Sequence, residues 1–227
     1  MRRVTLARKP DGQDLDMGTP FDFFSVIPGL SSVSYVADPQ RWYFLLQIPG
    51  LWRAMFLVNE DASDERVQTR EFAQSLMATV VPGLSNYEIS HITLYKVHQR
   101  VAKTFRLGRT FLVGDAAHIN NPLGGMGMNF GIHDAVELTG LLGQVIRREA
   151  KPDVLDLYDR HRRPLNIEFV QQQTIANKKR MEEKDPAARE KEFDQLRRTA
   201  ADPAAHRAYV RRASLVESVR KRATATA

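Results

Sequence analysis

The sequence has 227 residues, of which 43% are hydrophobic and 26% are charged, as in an ordinary globular protein with enough chain for one large or two small domains. It contains no cysteine, which excludes disulfides, thiolate metal sites, cysteine nucleophiles and iron–sulfur clusters. The net charge of +6 is uneven, because residues 1–146 carry 13 basic and 14 acidic residues whereas residues 147–227 carry 20 and 13.

Targeting signals are weak. The apolar stretch near the N-terminus runs only from Val4 to Ala7, too short for a signal peptide. The most apolar region, residues 42–58, is interrupted by polar residues, a proline and glycine, so no membrane span is expected. We therefore expect a cytoplasmic protein.

Acidic residues are interleaved through the basic C-terminal region as on solvated helices, and we expect no nucleic-acid partner.

The first hundred residues are predicted to form an antiparallel sheet with one covering helix. Apolar runs at 21–27, 33–36, 42–48 and 52–58 are separated by Pro-Gly and Asp-Pro turns. Residues 64–80 have the periodicity of a helix that stops at Pro82-Gly83, and residues 87–101 indicate one or two further strands. The aromatic residues of this region are predicted to be mostly core, although some could line a substrate pocket.

A short apolar strand, Thr110–Val113, runs into Gly114-Asp115 and a glycine-rich loop, and a helix follows from Met128. Such a strand, carboxylate turn, loop and helix start suit a polar or anionic cofactor edge, because glycines admit a flat ring and helix amides stabilise negative charge. The following region is helical. Arg163-Pro164 predicts a boundary or kink, and the Asp-Pro pairs at 185–186 and 202–203 predict helix starts.

The stretch from Arg109 to Asp134 resembles the second flavin-binding motif of the flavoprotein aromatic hydroxylases, the family of para-hydroxybenzoate hydroxylase. The matching residues are Gly114-Asp115-Ala116-Ala117-His118, Pro122, Gly124-Gly125, Gly127, Asn129, Gly131 and Asp134-Ala135. The resemblance continues loosely through Leu157-Tyr158, Arg160, Arg162-Arg163-Pro164 and residues 95–100, and residues 20–60 are similar to that family's substrate-domain sheet.

The resemblance implies FAD as cofactor, NAD(P)H and O2 as co-substrates, and hydroxylation of a small aromatic or conjugated substrate. Asp115 matches the aspartate of the flavin ribityl chain, and Pro122 the proline beside the reacting ring face, which makes Pro122 the candidate catalytic residue. The implied cofactor-binding residues are Arg100, Gly114, Asp115, Pro122, Gly124, Gly125, Met126, Gly127, Met128 and Asn129. Arg100 could instead lie on a polar strand face, His118 is predicted to be structural, and no metal ligand is expected.

The chain also departs from the family. It has no strand followed by G-x-G-x-x-G, and the family's middle Asp-Gly motif has no counterpart beyond the isolated Asp11-Gly12. We therefore expect an α/β chain that lacks the N-terminal nucleotide-binding half: a substrate-domain-like sheet and helix over 1–105, the C-terminal part of an FAD/NAD(P)-binding domain over 106–185, and a helical tail over 186–227.

Two hypotheses remain open at this point. In the first, the chain is the substrate-domain and C-terminal portion of a flavin monooxygenase, as a truncated gene product or one half of a split enzyme, and its activity requires the absent half. In the second, it is a non-catalytic remnant or interaction protein that keeps the fold without binding flavin. In either case the edges of strand 110–113 and the apolar face of helix 129–147 should be exposed, which predicts poor solubility or self-association of the isolated chain.

Overall fold

The computed structural model describes residues 11–38, 40–58 and 63–224, so the N-terminal stretch Val4–Ala7 lies outside the described residues. The chain divides into two compact units. The first comprises the described residues up to His98 together with Met181–Lys184, and the second comprises Gln99–Arg180 and the described residues from Asp185 onward.

The first unit contains a five-stranded antiparallel sheet with the order β2-β3-β4-β1-β5. Its strands are β1 (Gly12–Thr19), β2 (Val33–Val36), β3 (Tyr43–Ile48), β4 (Leu51–Val58) and β5 (His91–Val97), and its helices are α1 (Asp64–Val67) and α2 (Arg70–Met77). Alternate residues of the central strands, such as Leu15, Ala54 and Phe56, are fully buried in one core with Leu76 and Met77 of α2. The predicted antiparallel sheet is confirmed.

Two local predictions for this unit are wrong, and one strand was missed. Residues 21–27 form a 3-10 turn at Phe23–Ser25 instead of a strand, because the Asp22 carboxylate accepts the Phe24 amide and turns the chain. The predicted single helix over 64–80 is broken where Thr69 caps the start of α2. Strand β1 was not predicted at all.

Strand β1 escaped prediction because it alternates apolar residues with carboxylates and is nevertheless buried along its whole length. Asp16 is 2% exposed, and its carboxylate accepts hydrogen bonds from the Arg53 guanidinium on β4, with Nη2 at 2.5 Å. This pair offsets the desolvation of Asp16. Buried acidic residues remove the hydrophobic signal on which strand prediction depends.

The second unit is mainly helical. Its strand pairs are β6 (Arg100–Val101) with β9 (His118–Ile119) and β7 (Arg106–Leu107) with β8 (Thr110–Phe111). Its helices are α3 (Met126–Ile146), α4 (Asp156–Asn166), α5 (Gln172–Glu182), α6 (Pro186–Ala201), α7 (Pro203–Ala213) and α8 (Val216–Thr224). The sheet followed by this helical C-terminal part confirms the predicted α/β class, although the strand predicted over 110–113 is only the two residues of β8.

Helix α3 is the central element of the second unit. Its buried positions recur every three or four residues and face α4. On α4, burial raises the pKa of the Tyr158 hydroxyl well above its ordinary value. That hydroxyl donates to the carbonyl of Leu112, the residue after β8, at 2.8 Å. The opposite side of α3 is exposed, as predicted. Its exposed apolar residues are Met128, Ile132, Val136 and Ile146. Self-association through them stays a prediction.

Pro164 lies inside α4, so the helix continues past the boundary predicted at Arg163-Pro164 and is followed directly by a π-helical segment, Ile167–Gln171. Proline removes one helical hydrogen bond and crowds the preceding turn. The wider π-turn that follows shifts the side-chain register before α5 begins.

The two Asp-Pro helix starts are confirmed, and they predict similar stability losses on substitution. The Asp185 carboxylate accepts from the first amides of α6, and that of Asp202 accepts from those of α7. We expect Asp185→Ala and Asp202→Ala each to lower the free energy of unfolding by about 1 kcal/mol. Urea unfolding followed by circular dichroism measures this loss. Unchanged midpoints in both variants would contradict the capping role.

Candidate functional site

The predicted site begins at a 3-10 turn, Gly114–Ala116, a short distance after β8. Asp115, at the centre of the turn, is exposed, and its carboxylate accepts no hydrogen bond within 11–38, 40–58 or 63–224. A carboxylate held at a turn with both oxygens available can accept hydrogen bonds from the hydroxyls of a ligand.

The turn lies directly against α3. A Cβ atom built on Gly131 of α3 would be 3.1 Å from the Cα of Gly114, closer than ordinary van der Waals contact. Two glycines therefore allow turn and helix backbones to touch. This contact fixes the distance between the Asp115 turn and α3.

The loop between β9 and α3 ends in two glycines with left-handed backbone angles, Gly124 (φ 109°) and Gly125 (φ 62°). Gly125 is the N-cap residue of α3, and no side chain caps the helix. The first-turn amides of Met126, Gly127 and Met128 have no acceptor within the helix by its geometry. Positive helix-dipole potential and uncapped N–H groups make this end suitable for an anionic or carbonyl-bearing ligand edge.

The predicted loop residues differ in their exposure. Gly124, Gly125, Met128 and Asn129 are exposed, whereas the side chain of Met126 is buried in a core cluster, so Met126 can meet a ligand only through its backbone amide. The side-chain nitrogen of Asn129 donates to the Gly125 carbonyl at 2.9 Å.

Gly127 has a packing role, because a Cβ atom on it would be 2.9 Å from Oδ1 of Asn120. Its missing side chain lets the Asn120 amide reach the first turn of α3. The glycine pattern of the loop thus serves both the backbone turn and close packing.

Pro122 and Arg100 are both half-buried. The Pro122 carbonyl accepts the Gly125 amide at 3.0 Å and so closes the turn before α3. Arg100 lies on β6, where it pairs with Ile119 of β9. The strand pair therefore brings Arg100 to the chain segment that connects the Asp115 turn with the loop.

The residues present fit a flavin. Asp115 offers acceptors for the hydroxyls of a ribityl chain, and the uncapped end of α3 offers donors for the oxygen-bearing edge of the ring. A Cβ atom on Gly125 would meet nothing within 4 Å, so the loop surface at this point is bare backbone that a flat ring can approach.

A cluster of buried charged side chains holds the turn that carries Asp115. One oxygen of the Asp134 carboxylate accepts from Nε2 of His118 at 2.5 Å and from the Gly114 amide at 3.3 Å, and the other accepts from Nε of Arg162 at 2.7 Å. The Arg162 guanidinium also lies 3.9 Å from the centre of the Phe130 ring. Asp134, His118 and Arg162 are each at most 2% exposed. Together, Asp134, His118 and Arg162 form the Asp134 cluster.

His118 is therefore held inside the protein, where its position agrees with the structural role predicted for it. Sequence reasoning matched Asp134 and Arg162 to the family motif but gave them no role. The available signal was the position of Asp134 in the apolar stripe of α3, with buried Phe130 four residues before it and buried Leu138 four after it. A carboxylate on a buried helix face requires a paired cation.

A cluster of uncharged polar residues, also missed from the sequence, lies on the other side of the loop. Gln99, Asn121, Gln171 and Thr174 hydrogen-bond with one another, although they are far apart in the chain. Asn121, Gln171 and Thr174 are 4%, 6% and 0% exposed. No sequence pattern distinguishes these four from surface polar residues.

A separate cleft of about 460 Å³ lies beside α3 and contains none of the predicted cofactor-binding residues. Glu137 on this side accepts from Nδ1 of His161 at 2.7 Å and forms an ion pair with Nε of Arg222 at 3.3 Å. Burial, and then the charge of Arg162, lower the pKa of His133 at the cleft wall.

Within residues 11–38, 40–58 and 63–224, no group of three or more His, Asp or Glu side chains could hold a metal ion. In the same described ranges, no helix has the length and apolar character that crossing a bilayer requires.

The chain is similar to known FAD-binding proteins and monooxygenases. The family model described as "FAD binding domain" matches residues 43–173. The chain is 36% identical over 187 residues to para-nitrophenol 4-monooxygenase of Pseudomonas sp. (strain WBC-3), a match that covers 80% of this chain and 46% of that protein. It is 34% identical over 137 residues to 6-hydroxy-3-succinoylpyridine 3-monooxygenase of Pseudomonas putida, covering 60% of this chain and 34% of the relative.

Among solved structures, p-nitrophenol 4-monooxygenase from Pseudomonas putida DLL-E4 matches with a TM-score of 0.80 and 32% identity, covering 90% of this chain and 53% of that one. The chain thus spans about half the length of these two nitrophenol monooxygenases. FAD is the cofactor of the matched domain. Since that domain covers more than half of its sequence, the chain belongs to the FAD-dependent aromatic-ring monooxygenase family.

Proposed function

We propose that this chain supplies the flavin-edge loop and the substrate-domain sheet of an aromatic-ring monooxygenase that uses NAD(P)H and O2. The observation that carries the proposal is the exposed Asp115 carboxylate, free of partners in the described residues, on a turn packed against the uncapped start of α3. A solvated surface turn needs neither the Gly114–Gly131 contact nor a buried ion cluster beneath it.

When bound, FAD supplies the redox chemistry of oxygen insertion into the ring. The chain's own residues bind the flavin and orient it. Asp115 accepts hydrogen bonds from the ribityl hydroxyls, and the α3 amides of Gly127 and Met128 stabilise negative charge on the facing edge. Pro122 presents an apolar surface without an N–H group beside the ring, and Arg100 contributes positive charge from β6.

The proposal assigns the three regions different parts. The region over 1–105 contacts the substrate, an aromatic or conjugated small molecule, and residues 106–185 contact FAD. The tail over 186–227 contributes helices α6, α7 and α8. The exposed face of α3, with Ile132 and Val136, suits the remainder of the nucleotide-binding fold, from the same or a second chain. The cytoplasmic location stays a prediction.

The alternative, a remnant that keeps only the packing, is less well supported. The left-handed angle of Gly125 favours glycine with or without a ligand, but packing alone gives no reason for an exposed carboxylate at Asp115 beside the uncapped start of α3. The interaction-protein hypothesis explains the exposed α3 face but gives no reason for Asp115.

Flavin titration of the full chain, followed by quenching of flavin fluorescence, tests the proposal. We expect saturable binding that Asp115→Asn weakens about 10- to 100-fold, since hydrogen bonds to a charged acceptor contribute about 1.5–3 kcal/mol. Asp153→Asn, an exposed carboxylate elsewhere in the same unit, is the control and should bind like wild type. Equal affinity of wild type and Asp115→Asn would contradict the role of Asp115, and no saturable wild-type binding would favour the remnant.

A further inference from the structure

The four polar side chains of Gln99, Asn121, Gln171 and Thr174, here called the amide cluster, form a connected network inside the second unit. The Gln99 side-chain oxygen accepts from both the backbone amide (3.0 Å) and the side-chain nitrogen (2.8 Å) of Asn121. Its nitrogen donates to Oε1 of Gln171 at 2.6 Å and to the Thr174 hydroxyl at 3.0 Å. Gln99 thus joins the loop to the helical segment 167–182.

The network holds the loop on both sides of Pro122. Before the proline, Asn121 bonds to Gln99 and donates to the Thr174 carbonyl at 3.0 Å. After it, the Leu123 amide donates to Oδ1 of Asn121 at 3.1 Å, and the Leu123 carbonyl accepts from Asn177 at 3.1 Å. Because proline has no N–H of its own, these flanking bonds fix its backbone.

The π-helical segment supplies one member of the network and directly precedes the helix that supplies another. Gln171 is its last residue, and Thr174 follows three positions later in α5. The Thr174 hydroxyl also donates to the Val170 carbonyl of that segment at 2.8 Å. Gln171 donates in addition to the Ile119 carbonyl of β9 at 3.3 Å. The extra residue of a π-turn rotates the side chains that follow, and here the rotated side chains face the loop.

We propose that the amide cluster is a positioning device that holds Pro122 and the two following residues, Leu123 and Gly124, in one conformation for the flavin ring. The proposal rests on the proposed flavin site. Gln99, Asn121 and Thr174 are positioning residues, since the loop lies between them and the ligand. A buried network of this kind is rigid only while every member is satisfied, so loss of its central residue should release the loop.

Gln99→Met tests the proposal because methionine is similar in size and makes none of these hydrogen bonds. We expect the Asn121 and Leu123 amides of the ligand-free chain to exchange with solvent at least about tenfold faster, while the Leu138 and Leu141 amides of α3 change by less than about twofold. Flavin affinity should fall about tenfold. Gln144→Met, a glutamine of α3 whose side chain has no hydrogen bond in the described residues, is the matched control and should change neither quantity.

Asn177→Ala is the second variant, for the case in which Gln99→Met does not fold. It removes the bond to the Leu123 carbonyl, together with the bond that Asn177 accepts from Gln173 within α5, and leaves the bonds of Gln99 in place. It should speed exchange around Leu123 without changing that at Leu138. Unchanged or uniformly faster exchange would overturn the proposal, and so would a released loop with wild-type flavin affinity. Failure of the wild-type chain to bind flavin would instead contradict the proposed function, and exchange in the loop would still decide whether the cluster fixes it.

Discussion

Replacement of Asp134 by leucine is expected to lower the free energy of unfolding by about 3–5 kcal/mol, the loss that follows when one partner of a buried ion pair is removed. The substitution leaves the Arg162 guanidinium, 3% exposed in its side chain, without its carboxylate. The buried Nε2 of His118 and the Gly114 amide lose the same acceptor. Leucine fills a similar volume, so the decrease in the free energy of unfolding measures the cost of polar groups left buried without partners, and no cavity contributes to it.

Urea unfolding measures this loss, and Asp156→Ala is its matched control. Asp156 pairs with Arg106 at 2.8 Å, but it is 53% exposed, and loss of such a surface pair should change the free energy of unfolding by less than about 1 kcal/mol. A loss below about 1 kcal/mol in Asp134→Leu would show that the cluster does not hold this unit together.

A double variant separates stability from the position of the turn. Asp134→Leu combined with Arg162→Met removes both charges, and replacing a whole buried pair by apolar residues is often neutral for stability. We expect it to recover most of the lost stability. Flavin affinity should stay weakened, because the Gly114 amide next to Asp115 still lacks the acceptor that holds it on α3. Full recovery of affinity would contradict the role of Asp134 in positioning the turn.

The parts of the fold that sequence reasoning predicted are those with local physical signals. Asp185 and Asp202 precede prolines and cap their helices as expected, and the apolar runs of β3 and β4, separated by Pro-Gly, predicted an antiparallel sheet. The helix break at Thr69 and the turn at Phe23 depend on single side-chain hydrogen bonds that compete with a continuing pattern.

The candidate site shows the same limit. Its ligand-facing residues, Asp115 and the loop glycines, could be named because they form one continuous motif in the sequence. The residues that hold them, such as Gln99, Thr174 and Arg162, lie in other elements and meet only after folding. A glutamine or threonine carries no mark of burial in a single sequence, since both types are mostly exposed in proteins.

Gly131→Val is expected to lower the free energy of unfolding by about 2–3 kcal/mol, as overpacking of a close contact does. The glycine lies on α3, where a Cβ atom would be 3.1 Å from the Gly114 Cα, which is backbone and cannot rotate away. A β-branched side chain must therefore push the turn off the helix or bend α3. Because Asp115 is part of that turn, flavin affinity should fall together with stability.

Gly140→Ala on the same helix is the matched substitution and is expected to have the opposite sign. A Cβ atom on Gly140 meets nothing within 4 Å outside the helix's own backbone, so the change removes only the conformational cost of glycine and should stabilise the chain by up to about 1 kcal/mol. Thermal unfolding of the two variants under one condition compares them directly. If both glycine substitutions raised the melting temperature, the contact between Gly131 and Gly114 would not constrain the turn, and the position of Asp115 would have to depend on the Asp134 cluster alone.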